Sequence, residues 1–320
     1  MASVGVVGLG RMGMEHCASL LELGLKPKFC MGRSLSGAKT FARKFAYPII
    51  TANEISKINF SSNDGVVICA THDQQILIAK QLIELGCKTI LLEKPGGLYL
   101  SDMYSLQQIA KDKVVKVFVG YNRRFYRSLD FLNQVINDDG GVLSMHFEFN
   151  EIESLILNEK LTDEVKSRWG FVNSLHIIDL AFFIAGYPTE LYTIRSGVKS
   201  WHPSGSIFAG FGKTIGNSPF TYQGNWDSPG RWGLDIGTRK HRMSLRPIEE
   251  LSLQAHGQSS EAVRLPGKKN NIKEGVFEQM AAFITYIDTG KIDSRLCTLS
   301  CAINSMEAAQ EIFKYPERVD

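Results

Sequence analysis

The chain has no dense grouping of metal-binding residues. Its six cysteines (Cys17, Cys30, Cys69, Cys87, Cys297 and Cys301) are scattered, mostly inside apolar segments, with no C-x-x-C pair and no Cys/His cluster. That spacing argues against a zinc site and for reduced thiols in a cytoplasmic setting. No apolar run reaches the roughly 18 residues that a membrane helix needs, so no membrane association is expected. The opening "MASVGVVGLGRMG" lacks the charged start and long apolar stretch of a secretory signal. Basic residues are not massed either: "KK" at Lys268 and Lys269 sits in a polar stretch, so nucleic acid is not an expected partner. Internal repeats and low-complexity linkers are absent.

What is there is an ordinary globular composition. The chain has 320 residues, of which 44% are hydrophobic and 22% charged, with a formal net charge of +3. At roughly 100–200 residues per domain, that suits one large domain or two ordinary ones. The slightly basic balance is compatible with an anionic small ligand.

The first third alternates strand and helix signals. "SVGVVGLGRMG" is a β-rich run followed by G-x-G-x-x-G at Gly8, Gly10 and Gly13, and "MEHCASLLELG" continues with helical spacing. Strand, glycine turn and helix come in the order a dinucleotide site requires, with Leu9, Arg11 and Met12 between and beside the glycines. "KPKFCMG", "DGVVICAT", "KTILLEKP" and "VVKVFVGYN" read as further strands. "SGAKTFARKF", "QQILIAKQLIELG" and "LSDMYSLQQIAKDK" read as the helices between them. This alternation predicts an α/β fold, a Rossmann doubly wound parallel sheet, over residues 1–121.

The end of the second strand bears on the cofactor. An acid there would bind ribose hydroxyls, but the chain reads Gly32, Arg33, Ser34. A small residue followed by arginine leaves room for a 2′-phosphate and gives it a bidentate partner, which favours NADP while leaving NAD open.

"LLEKPGG" closes a strand with Glu93, Lys94 and Pro95. A lysine at the carboxyl end of a parallel strand stands where such sheets bind ligands, and it can stabilise a substrate alkoxide. Taken in order, G-x-G-x-x-G, E-K-P, "GYNRRF" (Gly120 to Phe125) and "HIIDL" followed by "FFIAG" resemble the Gfo/Idh/MocA family, the glucose–fructose oxidoreductase and inositol dehydrogenase-like group. The resemblance spans nearly the whole chain. It implies an NAD(P)-dependent oxidoreductase acting on a sugar, sugar nucleotide or cyclitol. It also implies a C-terminal α+β domain with a large, mostly antiparallel sheet whose open face forms a homodimer or homotetramer. Lys94 matches the lysine beside nicotinamide and substrate, and His176 the histidine near the reacting carbon. Tyr121, Asn122 and Arg123 match the segment lining the domain crevice.

The chain departs from the family pattern in two places. The stretch after the third strand reads Ala70, Thr71, His72, with histidine where members often have proline; these residues are still expected to touch the cofactor. Before His176, many members show D-x-G-x-H-x-x-D; here Val172 replaces the first acid, while Asp179 keeps the last. Histidine, with an ordinary pKa of about 6.5, suits acid–base work near neutral pH. Asp179, three residues on, shares a helical face with His176 and is a candidate to orient it or to bind a substrate hydroxyl. Arg168, Trp169 and Asn173 lead into this segment and are candidate substrate contacts.

Residues 122–320 are expected to form the substrate-binding and oligomerisation domain, with the last helix free to pack back on the first domain. "VLSMHFEFNEI", "SIFAGFG", "PFTYQGNWD" and "HRMSLRP" are its short strand-like runs. The missing acid at position 172 also raises an alternative: a family member that binds NADP without net redox turnover, either a regulatory binder or a lyase or epimerase using its cofactor transiently.

Overall fold

The computed structural model describes residues 1–32, 49–265, 267 and 270–318. Arg33, Ser34 and the expected helix at 36–45 lie outside the described residues. The chain divides into two compact units: Met1–Phe125 with Lys268–Ile303, and Tyr126–Gly267 with Asn304–Asp320.

The first unit is built on a seven-stranded sheet. In chain order its strands are β1 (Ser3–Val7), β2 (Cys30–Gly32), β3 (Ile49–Thr51), β4 (Asp64–Ile68), β5 (Thr89–Leu92), β6 (Lys116–Val119) and β15 (Cys297–Thr298). They lie side by side as β15-β6-β5-β4-β1-β2-β3. Every pair is parallel except β15 with β6. β1, β4 and β5 are near-continuous apolar runs buried throughout or nearly so, as strands covered on both faces must be. Helices α1 (Arg11–Glu22), α2 (Gln75–Glu84) and α3 (Leu100–Asp112) are the crossovers. The order reverses between β1 and β4, the switch point at which such sheets bind ligands.

The return of the chain at Lys268 was not visible in the expected single boundary after residue 121. Its cause is packing: α8 (Val276–Thr289) has an apolar face that needs cover. Met280, Phe283 and Ile287 join Val4, Val6, Leu20 and Phe118 in one buried cluster. Phe283 meets Phe118 edge-on at 6.3 Å between ring centroids.

The second unit holds an eight-stranded sheet ordered β14-β13-β12-β11-β7-β10-β9-β8. Its strands are β7 (Ser144–Phe149), β8 (Pro188–Ser196), β9 (Ile207–Thr214), β10 (Pro219–Asn225), β11 (Trp232–Gly237), β12 (His241–Leu245), β13 (Leu251–Ala255) and β14 (Glu261–Ala262). Only β7 and β10 pair in parallel; the rest are antiparallel. α4 (Arg127–Asp138) precedes the sheet, short helices α5 (Glu153–Asn158) and α6 (Asp163–Ser167) follow β7, and α9 (Leu299–Phe313) ends the chain's helices.

α7 (Leu175–Ala185) is apolar almost all round and correspondingly buried. It lies on β7 and β11, with Phe182 edge-on to Phe147 at 5.6 Å. Side chains alternate between sheet faces. The opposite face carries a cross-strand row of Tyr192, Phe211, Thr221, His146, Asp235 and Ser244. Its β8–β9 end leaves Tyr192 and Phe211 more than half exposed, stacked at 5.1 Å.

Candidate functional site

In the first unit, polar residues gather where the parallel strands end. Gly8 follows β1 with φ 92°, a left-handed backbone that glycine adopts without steric cost. A Cβ on Gly8 would stand 2.4 Å from the Cys69 carbonyl, so the turn is pressed against the end of β4. A Cβ on Gly13 would stand 2.0 Å from the Gly8 carbonyl oxygen, so the first turn of α1 is pressed on the same loop. Gly10 differs, because a Cβ there would meet nothing within 4 Å. Two glycines thus let the protein pack on itself, and the third keeps space open at the N-cap of α1. That helix has no acid in its first turn and no side-chain cap, so its positive end is uncompensated. Leu9 and Met12 are half-buried there, and Arg11 is exposed.

Glu93 follows β5 and is buried. His16, wholly buried on α1, places Nε2 2.9 Å from Glu93 Oε1. Burial pushes the Glu93 carboxyl up, but the hydrogen bond and charge of His16, with Lys94 and Lys273, bring it below the ordinary value. Cys69 joins this pair, with all three ligand-type atoms within 4.8 Å of one another. The fold therefore makes a His/Cys/Glu cluster that no local spacing announced. Burial and the Glu93 charge push the Cys69 thiol well up, which keeps it protonated.

Lys94 is half-buried, and its backbone N–H donates to Glu93 Oε2 at 3.3 Å. The Lys94–Pro95 peptide is cis. His72 is held down to about 4 by burial and the Lys94 charge, against Glu93 and Asp73, so it is neutral at neutral pH. Thr71 is exposed and Ala70 half-buried at the same strand ends. Tyr121 is buried, with the Arg124 guanidinium 5.9 Å from its ring centroid. Asn122 is buried and donates Nδ2–H to the Glu274 carbonyl at 2.8 Å, which fixes the loop before α8.

That loop carries a residue the sequence reading missed. The Lys273 N–H donates to Glu15 at 2.7 Å, and its Nζ lies 3.7 Å from Met12 Sδ beside the glycine turn. Burial and the charges of Arg123 and Arg11 lower its pKa, against Glu93 and Glu15. No motif flags a lysine some 260 residues from the turn it approaches.

In the second unit, His176 begins α7 and is 4% exposed. Its ring lies 6.1 Å from that of Trp232, between centroids. A single π-helical turn, Gly170–Ser174, precedes α7. Gly170 lets this turn approach Phe313, whose ring a Cβ would meet at 2.4 Å. The Gly170 N–H donates to the Tyr315 hydroxyl at 2.8 Å.

The expected polar neighbours of His176 have assigned partners. Asp179 is 1% exposed, and its Oδ1 accepts from Ser305 Oγ at 2.7 Å, which ties α7 to α9. Arg168 is 5% exposed, donates to the Pro316 carbonyl and lies 5.4 Å from the Tyr315 ring centroid. Those contacts bind the C-terminal segment, where a substrate contact was expected. Trp169 is buried. Asn173 donates Nδ2–H to Glu151 at 2.9 Å, and Ser174 Oγ–H donates to the same carboxyl at 2.7 Å. Glu151 appears in no motif. Trp201 and Trp226 stack on each other at 5.9 Å beside buried His202 in an aromatic cluster.

A parallel sheet in the order β3-β2-β1-β4-β5-β6, with the glycine turn at its switch point, defines a Rossmann-type domain. Residues 2–121 match the model of the Gfo/Idh/MocA family, described as an oxidoreductase family with an NAD-binding Rossmann fold. Inositol 2-dehydrogenase of Rhizobium meliloti (strain 1021) is 24% identical over 197 residues, 61% of this chain and 58% of that protein. The match thus spans about three fifths of that relative's length. Solved structures share the fold over nearly the whole chain. UDP-N-acetylglucosamine 3-dehydrogenase from Acidithiobacillus ferrooxidans superimposes with a TM-score of 0.78 at 14% identity, over 98% of this chain and 96% of that one. The super-repressor mutant of Gal80p from Saccharomyces cerevisiae gives 0.79 at 16%, over 98% and 95%. Among the described residues, no helix is long and apolar enough to cross a membrane.

Proposed function

We propose that the protein is an NAD(P)-dependent oxidoreductase that moves a hydride between the nicotinamide and a hydroxyl-bearing or carbonyl carbon of a sugar, sugar nucleotide or cyclitol. The observation that supports it most is Gly10, which holds space open over the uncompensated start of α1 while Gly8 and Gly13 pack the turn beneath. A pyrophosphate fits such a place, and Arg11 and Lys273 add positive charge near it. When bound, the cofactor supplies or accepts the hydride. Lys94 hydrogen-bonds the substrate oxygen and stabilises the negative charge that grows there. His176 takes the hydroxyl proton in oxidation and returns it in reduction. Asp179 anchors the helix that carries His176.

NADP is the preferred cofactor in this reading, because Gly32 ends β2 where an acid would bind ribose hydroxyls and Arg33 follows it. The half-exposed Tyr192 and Phe211 on the open sheet face favour a homodimer or homotetramer through that face. The scattered free cysteines favour a cytoplasmic protein.

The test is a turnover panel of inositols, sugars and UDP-sugars with NADP and NAD, followed at 340 nm. Reduction of NADP with at least one member supports the proposal. Tight NADPH binding without turnover of any member would sink it in favour of the second reading, a binder without net redox turnover. Val172 and the super-repressor among the matching folds favour that reading. Arg33→Asp should weaken NADPH binding far more than NADH binding; equal loss of both would remove the 2′-phosphate role.

A further inference from the structure

We propose that Glu151 is the positioning carboxylate of the His176 segment: standing just past β7, it gathers Asn173, Ser174 and Trp232 around one buried acid and fixes the turn from which His176 rises. The proposal rests on the reading above that His176 moves the substrate proton.

The geometry is that of a built acceptor. Ser174 Oγ donates to Oε1 at 2.7 Å, Trp232 Nε1 to the same oxygen at 3.3 Å, and Asn173 Nδ2 to Oε2 at 2.9 Å. All three partners can donate, so both carboxylate oxygens are served without an acceptor competing. The donors come from two elements. Asn173 and Ser174 close the π-helical turn that leads into α7, and Trp232 opens β11. Trp232 also stands against the imidazole of His176. Glu151 therefore holds the side chains two and three residues before His176 and the ring beside it.

Position 172, four residues before His176, is a valine 2% exposed. The carboxylate that meets the turn before His176 thus comes from the end of a strand. Burial raises the Glu151 pKa, opposed by the indole of Trp169, then Ser174, Asn173 and Trp232. The Tyr315 hydroxyl also feels both the Arg168 and the Glu151 charge. Removing the carboxyl would leave its buried donors without their acceptor.

Histidine titration by NMR in the full chain tests the role, with the His176 resonance assigned by its loss in His176→Gln. Glu151→Gln keeps the shape and removes the charge; Glu151→Asp keeps the charge on a shorter stem. A positioning carboxylate predicts that Gln lowers the His176 midpoint and Asp leaves it near wild type. The reverse pattern, with Gln tolerated and Asp disruptive, marks mere packing and overturns the proposal. An unmoved midpoint in folded Glu151→Gln overturns it as well. If Glu151→Gln does not fold, Asn173→Ala with Ser174→Ala removes two of the donors. The His176 midpoint then falls in the same sense, and an unchanged midpoint is fatal to the idea. NADPH binding, followed by fluorescence, reports separately: wild type that binds no NADPH sinks the oxidoreductase reading and leaves the Glu151 result standing.

Discussion

His16 Nε2 stands 2.9 Å from Glu93 Oε1, so the helix after the glycine turn is tied to the end of β5 by a buried imidazole–carboxylate pair. The folded pKa of Glu93 is depressed despite burial, because His16 and nearby cations favour its charge. A depressed carboxylate contributes stability that is present above its unfolded pKa and lost as pH falls through the folded one. Glu93→Gln should therefore cost about 1–3 kcal/mol at pH 7, the range for disturbing a buried hydrogen bond to a charged group. The gap between wild type and variant should close as pH falls. Urea melts at pH 7 and pH 4 check both statements. A gap that stays constant across that range would remove the ionised Glu93 from the account.

The three glycines of the turn should behave differently when given a methyl group. Gly13→Ala drives a Cβ to 2.0 Å from the Gly8 carbonyl and should lower the melting temperature as well as cofactor binding. Gly10→Ala meets nothing within 4 Å, and Gly10 has an ordinary φ of −81°, so the fold should be unchanged. Its methyl would enter the space assigned to the pyrophosphate. NADPH affinity should then fall roughly tenfold or more, about 1.4 kcal/mol. Thermal melts with and without NADPH separate the two variants.

Much of this was legible because its signals are local. The glycine turn, the apolar strands and their alternation with helices are patterns within a dozen residues, and they specify the parallel sheet. Lys94 and His176 stand in ordered motifs, which is why the sequence offers them as candidates. Glu151 was not legible, because it meets Asn173 across 22 residues and sits in no recurrent pattern. Lys273 reaches the glycine turn only because the chain returns to the first unit at Lys268, and the return depends on α8 covering a core that local periodicity cannot see. Arg168 shows the same limit: it stands eight residues before the histidine in sequence, and its contacts with Pro316 and Tyr315 come from the distant C-terminal segment. Periodicity reports which face of an element is apolar; it does not report which distant chain meets it.

One buried and one half-buried histidine, His202 and His72, should make the protein sensitive to mild acid. Burial holds His202 down to about 4; its Nδ1 is 2.7 Å from the Gly205 carbonyl and its Nε2 2.6 Å from the Tyr315 hydroxyl. His72 is likewise held down to about 4, by burial and Lys94. Between the ordinary value near 6.5 and the folded value, the unfolded chain takes up a proton that the folded chain refuses. Stability therefore falls with falling pH in that window, by up to roughly 1.4 kcal/mol per pH unit for each such histidine. Above about pH 6.5 neither contributes a slope. Denaturant melts from pH 7.5 to 5 should show this loss in wild type and a smaller one in His72→Gln, which carries no titrating group. Parallel curves for the two proteins would show that His72 does not titrate as described.

Gly170 and Phe313 are coupled through space that only a glycine leaves. The Phe313 ring occupies the place of a Gly170 Cβ, with three ring carbons 2.4–2.6 Å from it, and it stacks on Tyr315 at 5.3 Å. Gly170→Ala must displace either that aromatic ring or the π-helical turn that leads into His176, at a cost of about 1–3 kcal/mol for an overpacked core. Phe313→Leu alone opens a cavity and should cost a comparable amount. Combined, each change makes room for or fills in for the other, so the double variant should be more stable than the sum of the two losses predicts. A double-mutant cycle by urea denaturation measures that coupling. If the two losses simply add, the close approach of Phe313 is not what requires glycine at position 170.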